Sequence, residues 1–343
     1  MRAPEFWHKP PMQNDWRGRL LAPLGRITAA LTARRVGRAP RFLPRMPVIC
    51  LGNLNVGGSG KTPAVIAFAQ YLQGQGYRPF VLSRGYGGRL RGPLRVEERT
   101  HKAHMVGDEP LLLAAFAPVV VAQDRAAAAQ LAQGQGADVL LMDDGFQNPS
   151  LRKDFGVVVV DASLGFGNGR CLPAGPLREP VARGLARADL LLSIGAPQAQ
   201  AQFSRLWGHA VPVPRLEAAL QVLPTGMDWQ NTRCLAFAGI GNPDKFFATL
   251  RSLGADVAQC VALADHQPLS RPLLQRLSRQ ARAHDAQLIT TEKDAVRLPC
   301  DFRSQVLTLP VRLHIHDVPT LAALLAPVLK RYPRPSPPPP PRG

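Results

Sequence analysis

Between an apolar run at 48–51 and a helix-like segment at 64–72 the chain reads Asn55-Val56-Gly57-Gly58-Ser59-Gly60-Lys61-Thr62. Its glycines let backbone N–H groups turn inward around an anion, the following helix adds the positive end of its dipole, and Lys61 supplies a full charge. Thr62 adds a hydroxyl suited to a hard divalent cation. This is the composition of a loop that cradles the phosphates of ATP or GTP. Asn55 stands where such loops usually carry their first glycine, so the pattern departs at one position. The plainer alternative is a glycine-rich turn that only joins strand to helix. Asp143 and Asp144 close a second apolar run, 139–142. A carboxylate at a strand end is where Mg2+ would find a protein oxygen, and two adjacent ones require a cation or a raised pKa. Here the alternative is a polar strand end before the turn at Gly145.

The elements that must position these residues follow from periodicity. Short, continuously apolar runs at 48–51, 80–82, 119–121, 139–142, 157–160 and 190–194 alternate with helix-like stretches at 64–72, 111–115 and 126–132. Such runs suit strands buried on both faces, and their alternation with helices predicts an α/β fold, a P-loop NTPase-like parallel sheet sandwiched by helices. Pro212-Val213-Pro214 and the alternating segment after it read as a linker. A second series at 234–238, 245–253, 257–263, 273–284, 288–290 and 306–309 predicts a smaller α/β unit. The expected organisation is a basic N-terminal segment at 1–45, a phosphate-binding core at 46–214, a smaller unit at 215–330 that closes a cleft, and a disordered proline-rich tail at 331–343.

The chain has 343 residues, 45% of them hydrophobic, which is ample for one large or two medium cores. Its formal net charge of +18 favours anionic partners: phosphates, anionic lipid or nucleic acid. Against nucleic acid, aromatics make up only 6% of residues and no basic-aromatic series stands out. The five cysteines form no CxxC pair, which signals neither a zinc site nor a disulfide framework and suggests a reduced, cytosolic chain. No apolar stretch reaches spanning length and no secretory signal pattern is expected. Residues 1–45 hold nine Arg and one Lys against Glu5 and Asp15. Within 17–35, Leu20, Leu24, Ile27 and Leu31 recur at helical spacing while the arginines fall mostly elsewhere, which predicts an amphipathic helix. Such a helix suits the headgroup layer of an anionic membrane surface, or equally an ordinary helix packed on the core.

A longer ordered series of motifs resembles a known family. Residues 53–63 around the glycine loop, Ser83-Arg84-Gly85-Tyr86-Gly87-Gly88, Gly107-Asp108-Glu109-Pro110, Asp143-Asp144-Gly145-Phe146-Gln147, and the segments 165–169 and 172–180 follow one another as in the tetraacyldisaccharide 4'-kinases, the lipid A 4'-kinases. Ala238-Gly239-Ile240-Gly241-Asn242-Pro243, Asp265-His266 and Thr290-Thr291-Glu292-Lys293-Asp294-Ala295-Val296 are similar to that family's second half.

The resemblance implies transfer of the γ-phosphoryl group of ATP, with Mg2+, to the 4'-hydroxyl of an acylated glucosamine disaccharide 1-phosphate. The product would be lipid IV-A, made by a peripheral enzyme at the cytoplasmic face of the inner membrane with no nucleic-acid partner. It further implies Asp108 as the base that accepts the sugar proton, with His266 reaching it from the second unit. Lys61 and Arg178 would neutralise phosphoryl charge, and Thr62, Asp143, Asp144 and, less directly, Glu109 would serve the metal. Arg84 would face substrate. Read locally, Asp108 is a helix N-cap, His266 a surface histidine, and Arg178 a salt-bridge partner of Glu179. Two positions depart from the family pattern: Asn148, where a histidine is common, and Gln267, where a histidine or an aromatic is frequent. The rival reading is a membrane- or RNA-associated P-loop NTPase switch that hydrolyses its nucleotide.

Overall fold

A computed structural model describes residues 4–11, 13 and 15–332. Its strands are, in order, β1 (Val48–Gly52), β2 (Pro79–Ser83), β3 (Leu94–Arg95), β4 (Val119–Val121), β5 (Val139–Asp143), β6 (Phe155–Asp161), β7 (Leu190–Ile194), β8 (Arg215–Val222), β9 (Arg233–Ala238), β10 (Asp256–Ala262), β11 (Gln287–Thr291), β12 (Val306–Leu309) and β13 (Val311–Ile315). Nine form one sheet in the order β13-β8-β7-β6-β1-β5-β2-β4-β3, and four form a second in the order β10-β9-β11-β12. Pairing is parallel except at the two edges of the large sheet, where β3 and β13 run antiparallel.

Both faces of the large sheet are covered, as continuous apolar strands require. Ile49, Leu51, Leu141, Val157 and Val159 point into one core. Their neighbours Val48, Cys50, Leu140, Met142, Val158 and Val160 point into the other. Each buried aliphatic side chain contributes about 1.5–3 kcal/mol, so the central strands hold the carboxyl edge of the sheet firmly. β1 lies between β5 and β6, so the loop after β1 opens where the chain direction switches sides, the usual ligand position in such sheets.

The expected boundary at residue 214 does not separate the two sheets. β8 is not linker but pairs in parallel with β7, matching Leu191 to Arg215 and Ile194 to Ala218. β13 returns beside it, with Val311 opposite Val222, and the helix Val318–Lys330 packs Leu321, Leu325, Val328 and Leu329 into the large core. The smaller sheet is therefore carried on residues 223–310, an insertion between two neighbouring strands. The alternation in 215–222 failed to mark a strand because the segment sits near a sheet edge and is only half-buried. Tyr332, expected in the tail, instead donates its hydroxyl to Asp154 Oδ1 at 2.7 Å. The remainder of the expected tail, 333–343, lies outside the described residues.

The basic N-terminal segment forms two helices, Trp16–Leu20 and Ala22–Val36. Their packed side is made of small residues: Gly18, Gly25 and Thr32 are buried. At Gly25 a Cβ would stand 2.8 Å from the Cys171 carbonyl oxygen, so only glycine permits this approach. The apolar stripe faces outward instead, with Leu20, Leu24, Ile27 and Leu31 between 50% and 70% exposed. All five cysteines are free.

Candidate active site

The glycine loop ends at Gly60, which has φ +82° and caps the helix Lys61–Gly74. Two constraints require glycine there: the left-handed backbone, and a Cβ that would lie 2.7 Å from Ile194 Cδ1. Gly57 and Gly58 face open space, and the buried Ser59 hydroxyl has no hydrogen-bond partner. A concave backbone with an unsatisfied hydroxyl and an adjacent lysine fits a phosphate chain. Asn55, the position that departs from the glycine pattern, donates through Nδ2 to the Gly165 carbonyl at 2.9 Å. Beside it the Val56 N–H donates to Pro176 O at 2.8 Å and the Arg178 N–H to Leu54 O at 2.7 Å. The side chain that replaces glycine thus ties the loop to the segment 165–178, which delivers Arg178.

Asp143 ends β5 and Asp144 follows it with φ +48°. Arg178 forks onto Asp144, with Nη1 at 3.0 Å from Oδ1 and Nη2 at 3.3 Å from Oδ2, and Lys61 Nζ stands 3.6 Å from Oδ1. Burial disfavours the Asp144 charge, but Lys61 and Arg178 outweigh it and hold the carboxyl below its ordinary range. Asp143 behaves oppositely. Burial, then the nearby charges of Glu109 and Asp144, push its carboxyl up to about 6. Ser83 donates its hydroxyl to Asp143 Oδ2 at 3.2 Å, and the buried Arg125 donates to the Asp143 carbonyl at 3.0 Å.

A buried carboxylate raised by two neighbouring acids, beside a phosphate loop, belongs to a donor set that fits Mg2+. Among the described residues no three metal-binding side chains are gathered into an all-protein cage. Mg2+ in phosphoryl-transfer sites commonly needs only one or two carboxylates and takes its other ligands from phosphates and water.

Glu179 does not pair with Arg178. It is buried, accepts from Gln147 Nε2 at 3.0 Å, and forms an ion pair with Arg187. Gln147 also donates to the Asn53 carbonyl at 2.9 Å and accepts from Arg178 Nη1 at 3.4 Å. The local salt-bridge reading of Arg178 is thereby replaced: Glu179 steadies the segment, and the guanidinium is aimed at Asp144 at the end of β5.

Asp108 is the first residue of the helix Asp108–Ala114, and the cap position belongs to Gly107. Its carboxylate faces the inserted unit, with Oδ2 at 3.0 Å from His266 Nδ1 and 3.4 Å from Arg297 Nε. Glu109 Oε1 accepts from Lys293 Nζ at 3.1 Å. The loop bearing His266 is held tightly. Its φ is +58°, its N–H donates to Gly239 O at 3.2 Å, and Arg297 Nη1 donates to the Gln267 carbonyl at 2.8 Å. The fully buried Asp294 accepts from the Gly239 N–H and pairs with Arg297. Tyr86, largely exposed, lies edge-on to His266 with ring centroids 6.1 Å apart.

The structure therefore gathers Lys61, Asp143, Asp144 and Arg178 in one cluster and Asp108 with His266 in another, with Glu109 close enough to act on Asp143. Among the described residues neither Arg84 nor Thr62 makes a side-chain hydrogen bond or ion pair to either cluster, although the charge of Arg84 reaches Arg125. Arg125, Gln147, Lys293 and Arg297 were not singled out from sequence. Gln147 and Lys293 lie inside motifs named above, so their signal is visible in the sequence but carries no role there. The two departing positions close loops: Asn148 Oδ1 accepts from the Ser150 N–H at 2.8 Å, and Gln267 Oε1 from the Ala264 N–H at 2.9 Å.

Comparison with known proteins gives the family of the chain. A family model described as tetraacyldisaccharide-1-P 4'-kinase matches residues 17–330. A tetraacyldisaccharide 4'-kinase of Dinoroseobacter shibae is 60% identical over 326 residues, 95% of this chain and 97% of that one. One from Jannaschia sp. is 56% identical over 331 residues, 96% of this chain and 100% of the other. Among solved structures, LpxK from Aquifex aeolicus in complex with ATP is similar with a TM-score of 0.74 at 27% identity, over 91% of this chain and 99% of that one.

Proposed function

The chain belongs to the tetraacyldisaccharide-1-P 4'-kinase family, and we infer that it transfers the γ-phosphoryl group of ATP to the 4'-hydroxyl of a tetraacylated glucosamine disaccharide 1-phosphate, forming lipid IV-A. The observation that carries the site reading is the meeting of two halves. Lys61 and Arg178 converge on Asp144, while Asp108, one residue from Glu109, is held by His266 from the inserted unit. Phosphoryl transfer needs positioning and charge neutralisation more than covalent chemistry. The glycine loop from Asn55 to Thr62 grips the phosphates, and Lys61 and Arg178 offset the negative charge of the group in flight. Asp108 takes the proton of the 4'-hydroxyl as its oxygen bonds to the γ-phosphorus, and ADP departs. Asp143, Asp144, Thr62 and, through its neighbouring charge, Glu109 would hold Mg2+, which when bound screens the phosphate oxygens. His266 orients Asp108.

The acceptor is a lipid, so the enzyme must meet a membrane. The outward stripe of Trp16, Leu20, Leu24, Ile27 and Leu31, with Arg17, Arg19, Arg26, Arg34 and Arg35 exposed around it, supports a peripheral position on an anionic bilayer. The cytoplasmic face of the inner membrane is the side where ATP is available. Among the described residues no helix is long and apolar enough to cross a membrane. A membrane- or RNA-associated hydrolytic switch is not favoured, because kinases of this family match nearly the whole chain.

Incubation of the purified protein with Mg·ATP and detergent-dispersed tetraacyldisaccharide 1-phosphate is expected to yield a product heavier by one phosphoryl group. ATP turnover without that product, stimulated instead by RNA, would overturn the reading. Replacing Leu24, Ile27 and Leu31 by serine is expected to leave folding intact and to reduce binding to anionic vesicles; unchanged partition would remove the docking role.

A further inference from the structure

The mechanism asks Arg178 to offset phosphoryl charge, yet its guanidinium rests on Asp144, a carboxylate that the same reading gives to Mg2+. Among the described residues the Arg178 side chain donates to one further group, the amide oxygen of Gln147, at 3.4 Å from Nη1. Gln147 is buried and ties two other segments to its own. Its Nε2 donates to the Asn53 carbonyl at 2.9 Å, at the root of the glycine loop, and to Glu179 Oε1 at 3.0 Å, next to Arg178 in the chain. A primary amide has two N–H donors and one carbonyl oxygen. With both donors met by acceptors, the direction of Oε1 is set. A turned amide would press its oxygen against a carbonyl and a carboxylate together, leaving both buried acceptors unpaired.

The groups that fix the amide are themselves fixed from behind the site. Glu179 is buried and ion-paired with Arg187, whose guanidinium lies over the Phe146 ring at 4.9 Å. The Phe146 carbonyl, in the peptide that leads into Gln147, accepts from Lys153 Nζ at 2.8 Å. Asn53 is fully buried, and its Nδ2 reaches the Gly57 carbonyl at 3.4 Å inside the phosphate loop.

We propose that Gln147 is a positioning residue for Arg178: its immobilised amide offers an acceptor that keeps the guanidinium beside the glycine loop when Asp144 is drawn to the metal. The proposal rests on the readings of Arg178 and Asp144 given above. A carboxylate that serves a divalent cation has less negative charge left for a guanidinium. The amide keeps its place because its own partners lie on the opposite side from Asp144. Being neutral, it directs Arg178 without cancelling the positive charge that transfer requires.

Two measurements test this. In protein labelled with 15N-arginine, the Arg178 Nε–H signal is assigned by its loss in Arg178→Lys and followed in Mg·ADP, which lacks the group that Arg178 would meet in transfer. The wild type is expected to show separate Nη signals, the mark of a guanidinium held against rotation, and Gln147→Leu to show them averaged. A freely rotating wild-type Arg178 overturns the proposal whether or not the variant folds, and so does an equally held Arg178 in folded Gln147→Leu. In lipid kinase assays Arg178→Ala is expected to lower kcat by about 10²-fold, and Gln147→Leu by about 10-fold. Gln147→Glu keeps an acceptor but cancels the guanidinium charge and repels Glu179, so it should be no faster than Gln147→Leu. Because Gln147 acts through Arg178, the double variant should match Arg178→Ala within about twofold, whereas plain structural support would multiply the two losses. Multiplied losses, or wild-type kcat in either Gln147 variant, overturn the proposal. Near-normal turnover in Arg178→Ala instead fails the underlying reading of Arg178, and the guanidinium signal still decides whether Gln147 holds it.

Discussion

Asp143-Asp144 and Asp108-Glu109 are both adjacent acidic pairs, near enough for Glu109 to act on Asp143, and their charges are balanced from opposite directions. The first pair is met by Lys61, Arg178 and Arg125, all carried by the large-sheet unit. The second is met by His266, Arg297 and Lys293, all carried by the insertion between β8 and β13. The half that carries the glycine loop is thus assembled within one unit, whereas the half around Asp108 is completed only where two units touch. On the function proposed above, a kinase acting on a large lipid would gain from this division, because ATP would be gripped independently while the proposed base is completed by the inserted unit.

Substitutions should separate the two halves. The largest loss is expected for Lys61→Ala, about 10²- to 10³-fold in kcat from removal of one preorganised donor to the transferring group, together with weakened ATP binding in calorimetry. Asp108→Ala should lower kcat by about 10²-fold or more while ATP affinity stays near wild type. Equal damage to ATP affinity in both variants would erase the distinction between the halves. Next in size is a pH effect confined to the first pair. The Asp143 carboxyl rises from 3.8 to about 6 on folding, so its protonated form favours the fold. Its contribution is fully present below about pH 4 and lost as pH rises through about 6. In chelator-treated protein, Asp143→Asn should therefore be more stable than wild type at pH 7.5, on the order of 2 kcal/mol, with the difference shrinking toward pH 5. Denaturant melts at the two pH values decide it, and a gap that widens on acidification would contradict the assigned cause.

The smallest effect is expected at an exposed contact across the units. Lys245 Nζ lies 2.5 Å from Asp161 Oδ2, but the lysine is half exposed. Lys245→Ala should cost less than about 1 kcal/mol and change kcat less than about threefold. A larger fall in kcat would show that closure is governed there and not at Asp108.

The helices Arg271–Ala283 and Ala22–Val36 show where sequence reading succeeds and where it stops. Both carry apolar residues at helical spacing. The first buries Leu273, Leu274, Leu277 and Ala281 as the pattern implies, while the second turns its stripe to solvent and packs through Gly25 and Thr32. Spacing defines a stripe but not which side meets the protein; the close carbonyl of Cys171 decided that by excluding any Cβ. The central strands were legible because continuous β-branched runs have few alternatives, and β12 fell at the expected residues. β8 and β13 were not, because a half-buried edge segment lacks that contrast.

The glycine loop, the acidic strand end and the alternation of strand and helix were determined by the sequence itself, because each depends on neighbours a few residues apart whose types restrict backbone and charge. The pairing of Asp108 with His266, the choice of Asp144 over Glu179 by Arg178, and the contact of Lys293 with Glu109 were decided only by tertiary structure. Those contacts join residues far apart in the chain, and their geometry is set by where two neighbouring strands release and recover an inserted unit, which no local pattern encodes.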